Sequence, residues 1–528
     1  MEFIPDGRQN TSTTLHKIRG WVFLLVCFVL QLLIEGVLNS YGLFQNEWIK
    51  EFPDDMATSL PGHEQRVASV MYAALLASGC IAYPFSCLLV KGLGCRQVVV
   101  SGLGAMLASG SLLCATRATS LQWVCQTAGG ATGLGLGLVY HSVQVSLYQL
   151  ISRESYLRPR VVLAMGLCAK GLGTAMVAPL LDQLLRGYGD YRPVMICLAC
   201  LLMCCTSAYG CIYFKPQGGR QPGTYEPKLF HRDSIVQLLH EDQDNVDANN
   251  NNGPPPSPEY SVKNIAITWI FSCSRFLAIS GYLVPFLFIE RLAADRGMPG
   301  QGYVFLMVIG IADCFGRLLA SCYLPRRPRN NPYCTLLVYS GFLIVCGIAL
   351  FTVTSVSHTY VAGNFLVMAA YAAAFGFTGG CFLVLSHFCL ADHLQGGYST
   401  RSRDQTLMCL PWVMQTAASL FGPLNAGYLV DEFCADMAFR AAGAMLLLAG
   451  SMLPPMSLLA RRWSCAKATD TKRDVDVLVL GSSRIVIDYT HCRQLRTVHP
   501  SIQGTPCTTC NKSCPSCNKA ENSEYARL

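Results

Sequence analysis

The stretch GWVFLLVCFVLQLLIEGVLNSYGLF, Gly20 to Phe44, carries a single charged side chain, Glu35, in an otherwise mostly apolar run. About 20 such residues, rising about 1.5 Å each in a helix, cross the hydrocarbon of a bilayer. The run is too long for a secretory leader and no small-residue cleavage site follows it, so it is expected to stay as a membrane helix. Residues 1–19 ahead of it are polar and form a short segment on one side of the membrane.

Runs of the same kind recur along the chain. They cover 20–44, 68–90, 98–116, 121–146, 160–185 and 192–214, and then 264–289, 302–324, 332–355, 359–387, 406–430 and 437–460. The pattern predicts an all-α membrane protein with twelve transmembrane helices in two six-helix halves, 20–214 and 264–461. Between them, residues 215–263 hold Asn249–Asn252 and Pro254–Pro256 with few large apolar residues. Such a segment cannot bury a core and reads as a flexible linker. Residues 462–528 are polar again and read as a tail.

Composition agrees with lipid as the main solvent. Apolar residues make up 52% and charged residues 14%, against about 25% charged in an ordinary globular domain, and mean hydropathy is +0.35. The net charge of +8 is spread over short segments between apolar runs and not gathered on a polar domain, which argues against nucleic acid as a partner. Lys17, Arg19, Lys91, Arg96, Arg153, Lys215, Arg326, Arg327 and Arg461 fall on alternate segments, which places both termini and the linker in the cytoplasm. The sequon at Asn10 is then expected to be unglycosylated. Most of the 27 cysteines, such as Cys200, Cys204, Cys205 and Cys346, lie inside apolar runs, where Cys acts as a small hydrophobe.

Ionisable groups inside a span cost roughly 2.5–3.5 kcal/mol each at mid-helix, so each is a functional candidate. Here they are Glu35, Lys170, Arg275, Asp313 and Arg317, with His141 and His387 nearer the run ends. Asp313 and Arg317 lie four apart, on one helical face, where they can neutralise each other. If a substrate carboxylate takes Arg317, Asp313 loses its counter-charge and can bind a proton, so that anion and proton move together. The alternative is a static pair pinning the helix. Glu35 and Lys170 lie at comparable depth in different runs and have opposite signs, which suggests a second pair. Arg275 has no partner visible in sequence and either faces a water-filled cavity or reaches toward the membrane surface. The Gly-rich stretches Gly129–Tyr140 and Gly171–Pro179 read as close helix crossings.

Several collinear segments resemble the monocarboxylate transporter family of the major facilitator superfamily. Tyr156–Gly171 (YLRPRVVLAMGLCAKG) is similar to that family's signature entering the fifth helix, and GIADCFGR, Gly310–Arg317, to its eighth-helix segment. SYGLF (Ser40–Phe44), GLGCRQV (Gly92–Val98), GYLVPFLF (Gly281–Phe288), FGFTGG (Phe375–Gly380) and LFGPLNAGYLVD (Leu420–Asp431) add to the likeness. The resemblance implies a major facilitator fold and a plasma-membrane secondary transporter. Its halves would rock around a central cavity, with Asp313 and Arg317 binding proton and substrate anion. The chain departs from the family at Asn39, where the lactate- and pyruvate-carrying members have a lysine. Lys170 stands where they have Ala, and a cation there would replace the missing one. Asn39, Glu35, Lys170 and Arg275 are therefore cavity candidates beside Asp313 and Arg317.

The expected substrate is a small organic anion or zwitterion. A second reading is proton-independent carriage of aromatic amino acids or related larger solutes, as in the lysine-lacking relatives. A third is a carrier-fold receptor or scaffold signalling through its tail. No nucleophile–base constellation indicates an enzyme, and no cofactor is expected. Partners beyond the solute, the proton and the bilayer would be an accessory single-span membrane subunit or a protein that takes the tail end at Ala526–Leu528. In the tail, Cys507, Cys510, Cys514 and Cys517 form two Cys-x2-Cys pairs only three residues apart, whereas a zinc ribbon separates its pairs by about 15–20. A compact thiolate metal site, lipidation targets and plain thiols remain open for them.

Overall fold

A computed structural model describes residues 7–52, 64–92, 95–153, 159–214, 258–323, 332–355, 361–394 and 402–455. The linker 215–257 and the tail, with Cys507, Cys510, Cys514 and Cys517, lie outside the described residues, as does the His387 side chain.

Lipid offers no hydrogen-bond partner to a bare peptide group, so each spanning segment must satisfy its own backbone, and the described residues are helical throughout the expected runs. The first half comprises α1 (Gly7–Asn39), α2 (Gly42–Glu51), α3 (Glu64–Gly92), α4 (Gln97–Ala115), α5 (Leu121–Val124) leading through a π-helical turn (Cys125–Ala131) into α6 (Thr132–Arg153), α7 (Pro159–Tyr188) and α8 (Tyr191–Phe214). The second half comprises α9 (Pro258–Tyr282), α10 (Val284–Asp295), α11 (Gly302–Tyr323), α12 (Pro332–Ser355), α13 (Val361–Leu394), α14 (Ser402–Glu432) and α15 (Ala435–Ser451). Counting α1 with α2, α5 with α6, and α9 with α10 as one pass each gives six passes per half. α1 starts at Gly7, well ahead of its apolar run, and its 33 residues make about 50 Å, longer than the hydrocarbon layer. α9 likewise begins ahead of the run that opens at residue 264.

Nine of the described helices are long and apolar enough to cross a membrane. The remaining passes are as long but more polar or interrupted. The π turn divides the helix over 121–153, α7 carries Lys170 and Thr174, and α14 carries Gln415 and two prolines, Pro411 and Pro423. Phe315, Leu366 and Leu88 are exposed on the outer surface, where lipid rather than water suits them.

Small residues set the crossings. A Cβ on Gly104 of α4 would stand 2.8 Å from Gly135 O of α6. In the π-helical turn ahead of α6, one on Gly129 would stand 3.1 Å from Met71 O of α3. The Gly-rich stretch from Gly129 is therefore a packing surface for α3 and α4, which brings helix backbones together without a hydrophobic drive.

The two halves meet chiefly along two helix pairs, α3 with α14 and α7 with α11, with a smaller contact between α2 and α10. On the face carrying α2 and α10 this seam is closed. Asp431 of α14 accepts from the backbone N–H groups of Gln65 (3.0 Å) and Arg66 (2.7 Å), capping the first turn of α3 from the opposite half. Arg66 also bonds Glu432 at 2.9 Å and lies 4.5 Å from the centre of the Tyr428 ring. Arg186 of α7 donates to Gly300 O at 2.7 Å across the other pair.

Candidate binding site at the centre of the two halves

α1 and α7 cross where glycines face each other: a Cβ on Gly36 would lie 2.6 Å from Gly173 O. That approach lines up two rungs one turn apart. Glu35 accepts from Lys170 Nζ at 2.9 Å, and Asn39 Nδ2 donates to Thr174 Oγ1 at 2.8 Å. Lys170 also sits 4.6 Å from the centre of the Tyr140 ring, a cation–π arrangement. Glu35 and Lys170 are thus joined by tertiary packing, and Asn39 lies on the same interface one turn away.

Asp313 and Arg317, both on α11, form a second ion pair, with Arg317 Nε 2.5 Å from Asp313 Oδ2. The carboxylate is held between two glycines of other helices. A Cβ on Gly171 of α7 would stand 2.8 Å from Oδ2, and one on Gly380 of α13 would stand 3.0 Å from Oδ1. Only bare backbone fits on either side. The two pairs differ in wetness: the Lys170 and Glu35 side chains are 17% and 18% exposed, those of Arg317 and Asp313 only 7% and 6%. Glu35 and Lys170 both lie within electrostatic reach of Asp313, so the two pairs share one field.

Arg275 of α9 is buried and donates to Ser386 Oγ at 3.0 Å and Gln415 Oε1 at 2.8 Å. These partners are neutral, and no described carboxylate forms an ion pair with it. Its Nε and Asp313 Oδ1 have no hydrogen-bond partner. Cys80 of α3 accepts from Gln415 Nε2 at 3.9 Å and lies within reach of both Arg275 and Glu35, linking the Arg275 cluster to the α1–α7 interface. Among the described residues of this region, two acids, Glu35 and Asp313, stand against three bases, Lys170, Arg275 and Arg317, a balance of one positive charge.

Sequence reasoning missed an aromatic group. Tyr83 of α3 and Trp412 of α14 stack across the seam with centroids 4.6 Å apart and planes 11° apart, and His141 meets Tyr83 edge-on at 4.9 Å. Tyr140 adjoins His141 at 5.3 Å. An aromatic residue in an apolar run looks like ordinary core, so no local signal marks Tyr83, Tyr140 and Trp412; of this group only His141 stood out in the sequence.

Two six-helix halves meeting over a central polar site are the plan of one large group of carriers. The sequence pattern of the Major Facilitator Superfamily matches residues 52–403. The chain belongs to that superfamily. Within it the chain is similar to Monocarboxylate transporter 3 of Rattus norvegicus, 26% identical over 454 residues, covering 84% of this chain and 81% of the relative. It is also similar to Monocarboxylate transporter 12 of Xenopus laevis, 24% identical over 471 residues, covering 86% and 94%. Among solved structures, a D-xylose-proton symporter superposes with TM-score 0.55 at 14% identity, covering 82% of this chain and 96% of that one. A partially occluded inward-open xylose transporter from E. coli gives 0.53 at 13%, covering 82% and 97%. These structures share the fold. This major facilitator protein is a monocarboxylate-transporter-like, multi-pass secondary transporter of a small solute.

Proposed function

We propose that the protein carries a small organic monoanion by alternating access, with Arg317 and Asp313 exchanging partners during each cycle. The observation that carries this reading is the charge balance among the described residues of the site, three cations against two carboxylates. The surplus charge of Arg275 draws an anion into the site. A substrate carboxylate that engages the guanidinium of Arg317 frees Asp313, which then takes a proton, so that the loaded site has the same net charge as the empty one. Lys170, held by Glu35 one turn from Asn39, supplies the first-half cation that Asn39 lacks. The termini face the cytoplasm of a plasma-membrane carrier, in accord with the Lys and Arg distribution.

The Tyr83–Trp412 stack beside Tyr140 and His141 favours a second reading in which the anion is aromatic and its ring lies against these side chains.

Uptake of labelled monocarboxylates, aromatic amino acids, purines and ketone bodies, measured at two external pH values, tests both. The proton-coupled reading expects faster uptake of its substrate at the more acidic pH, and loss of that pH dependence in Asp313→Asn. Arg317→Ala is expected to lower uptake on the order of 10- to 100-fold, the worth of a charge-assisted hydrogen bond. Trp412→Leu would weaken aromatic substrates selectively if the second reading holds. Equal movement of every solute in all of these proteins would refute the site.

A further inference from the structure

The α7–α11 seam holds a feature that the charge mechanism does not use. Cys168 of α7 and Cys314 of α11 face each other across the two halves, beside the Asp313–Arg317 pair. Cys168 Sγ donates to the backbone O of Cys314 at 3.9 Å. The helices approach closely here: a Cβ on Gly171, one turn along from Cys168, would stand 2.6 Å from Cys314 N, and one on Gly310 would stand 2.6 Å from Gly171 O. Among the described residues all cysteines are free thiols. Other interior cysteines meet non-cysteine partners: Cys381 of α13 donates to Gly316 O at 3.3 Å, and Cys80 of α3 accepts from Gln415 Nε2 at 3.9 Å. Cys168 and Cys314 meet across the seam, the thiol of one on the carbonyl of the other, and they belong to opposite halves.

A disulfide requires two Cα atoms within about 7 Å and sulfurs able to meet. Helices packed backbone-to-backbone through Gly171 and Gly310, with the Cys168 sulfur already on the Cys314 backbone, bring the two cysteines together. We infer that Cys168 and Cys314 form a redox-modification site, in which a peroxide oxidises the two thiols to a disulfide that staples α7 to α11.

The chemistry closes with hydrogen peroxide as the oxidant. One thiol sulfur attacks an oxygen of the peroxide, the O–O bond breaks, and a sulfenic acid and one water form. The second sulfur displaces the sulfenic oxygen as a second water, and the S–S bond forms. The two thiol protons leave in the two waters, the cysteines lose two electrons and the peroxide gains them. A dithiol reductant reverses the step by exchange. Since the halves must move relative to each other for alternating access, the staple arrests the cycle. That consequence rests on the transport reading; the linkage does not.

The test uses the full chain with a protease site placed in the linker between 215 and 257. After peroxide treatment and cleavage, the two halves are expected to run as one species on a non-reducing gel and as two after reduction. A peptide joining Cys168 to Cys314 is expected in the digest. Cys168→Ala and Cys314→Ala should each release the halves without reductant. Separate uptake measurements should show loss of transport on oxidation, recovery with dithiothreitol, and resistance in both variants. Halves that separate after oxidation without reductant, with no Cys168–Cys314 peptide, would overturn the modification site. The joined peptide with undiminished uptake would overturn the arrest alone and leave the site in place.

Discussion

At the scale of single residues, the centre of this carrier is organised by the cost of placing charge in a poorly solvated medium. Asp313 and Arg317 neutralise each other on one helix, and Glu35 and Lys170 do so across two. Removing one member of a fully buried pair costs about 3–5 kcal/mol, because the survivor is left uncompensated. The Glu35–Lys170 pair is partly wet, so a smaller loss is expected. Glu35→Gln or Lys170→Met alone should therefore lower thermal stability in detergent, and the double substitution should recover it. If Lys170 takes part in substrate handling, the double variant will regain stability without regaining uptake. Recovery of both would assign the pair a purely structural role. Of these residues, the Asp313–Arg317 relation was legible beforehand, since a spacing of four fixes two side chains on one helix face. Arg275 was visible as a cation within a run, facing a cavity or reaching toward the membrane surface, but its partners Ser386 and Gln415 were not, being on other helices.

At the scale of elements, glycine decides where helices meet. Gly171 lets α7 lie against α11 at the level of Asp313; its Cβ position is 2.6 Å from Cys314 N and 2.8 Å from the carboxylate. Separations this short force backbone to move, so Gly171→Ala is expected to displace Asp313 and depress uptake. Gly102 and Gly110 of α4 have nothing within 4 Å of a Cβ. Gly102→Ala and Gly110→Ala should keep uptake and stabilise their helix, by about 0.5–1 kcal/mol each. Uptake and melting curves of the three variants separate contact glycines from incidental ones. If Gly171→Ala transported like the wild type, the clamp on Asp313 would have no functional weight. The sequence marked the Gly-rich runs as crossings and left their partners unspecified. It gave no sign of the π turn at Cys125–Ala131, where Thr132 Oγ1 donates to Thr127 O at 2.9 Å and the regular ladder is displaced.

At the scale of the whole molecule, the closed face is held by contacts that join one half to the other. Asp431 is the most informative, because it caps two backbone amides of α3 from α14. Such a cap contributes about 0.5–2 kcal/mol, and it exists only while this face is shut. Asp431→Ala should therefore shift the equilibrium toward opening here. Peptide-resolved labelling of a cysteine introduced by Ser69→Cys, a buried position beside Gly427, reads this directly. Faster labelling by a membrane-impermeant reagent is the expected outcome, and an unchanged rate would remove Asp431 from the latch.

The apolar run at Gly20–Phe44 and its successors determined by themselves that the chain is helical and membrane-spanning, because a backbone in lipid must bond within its own segment. They also exposed the few charges that need a reason to be there. Only the tertiary structure decided which of those charges meet. Glu35 with Lys170, Arg275 with Ser386 and Gln415, Tyr83 with Trp412, and Cys168 with Cys314 are each separated by long stretches of chain. Helical periodicity reports the face a residue occupies within one helix, but not which other helix packs on that face, and that choice depends on the small residues that let particular backbones approach.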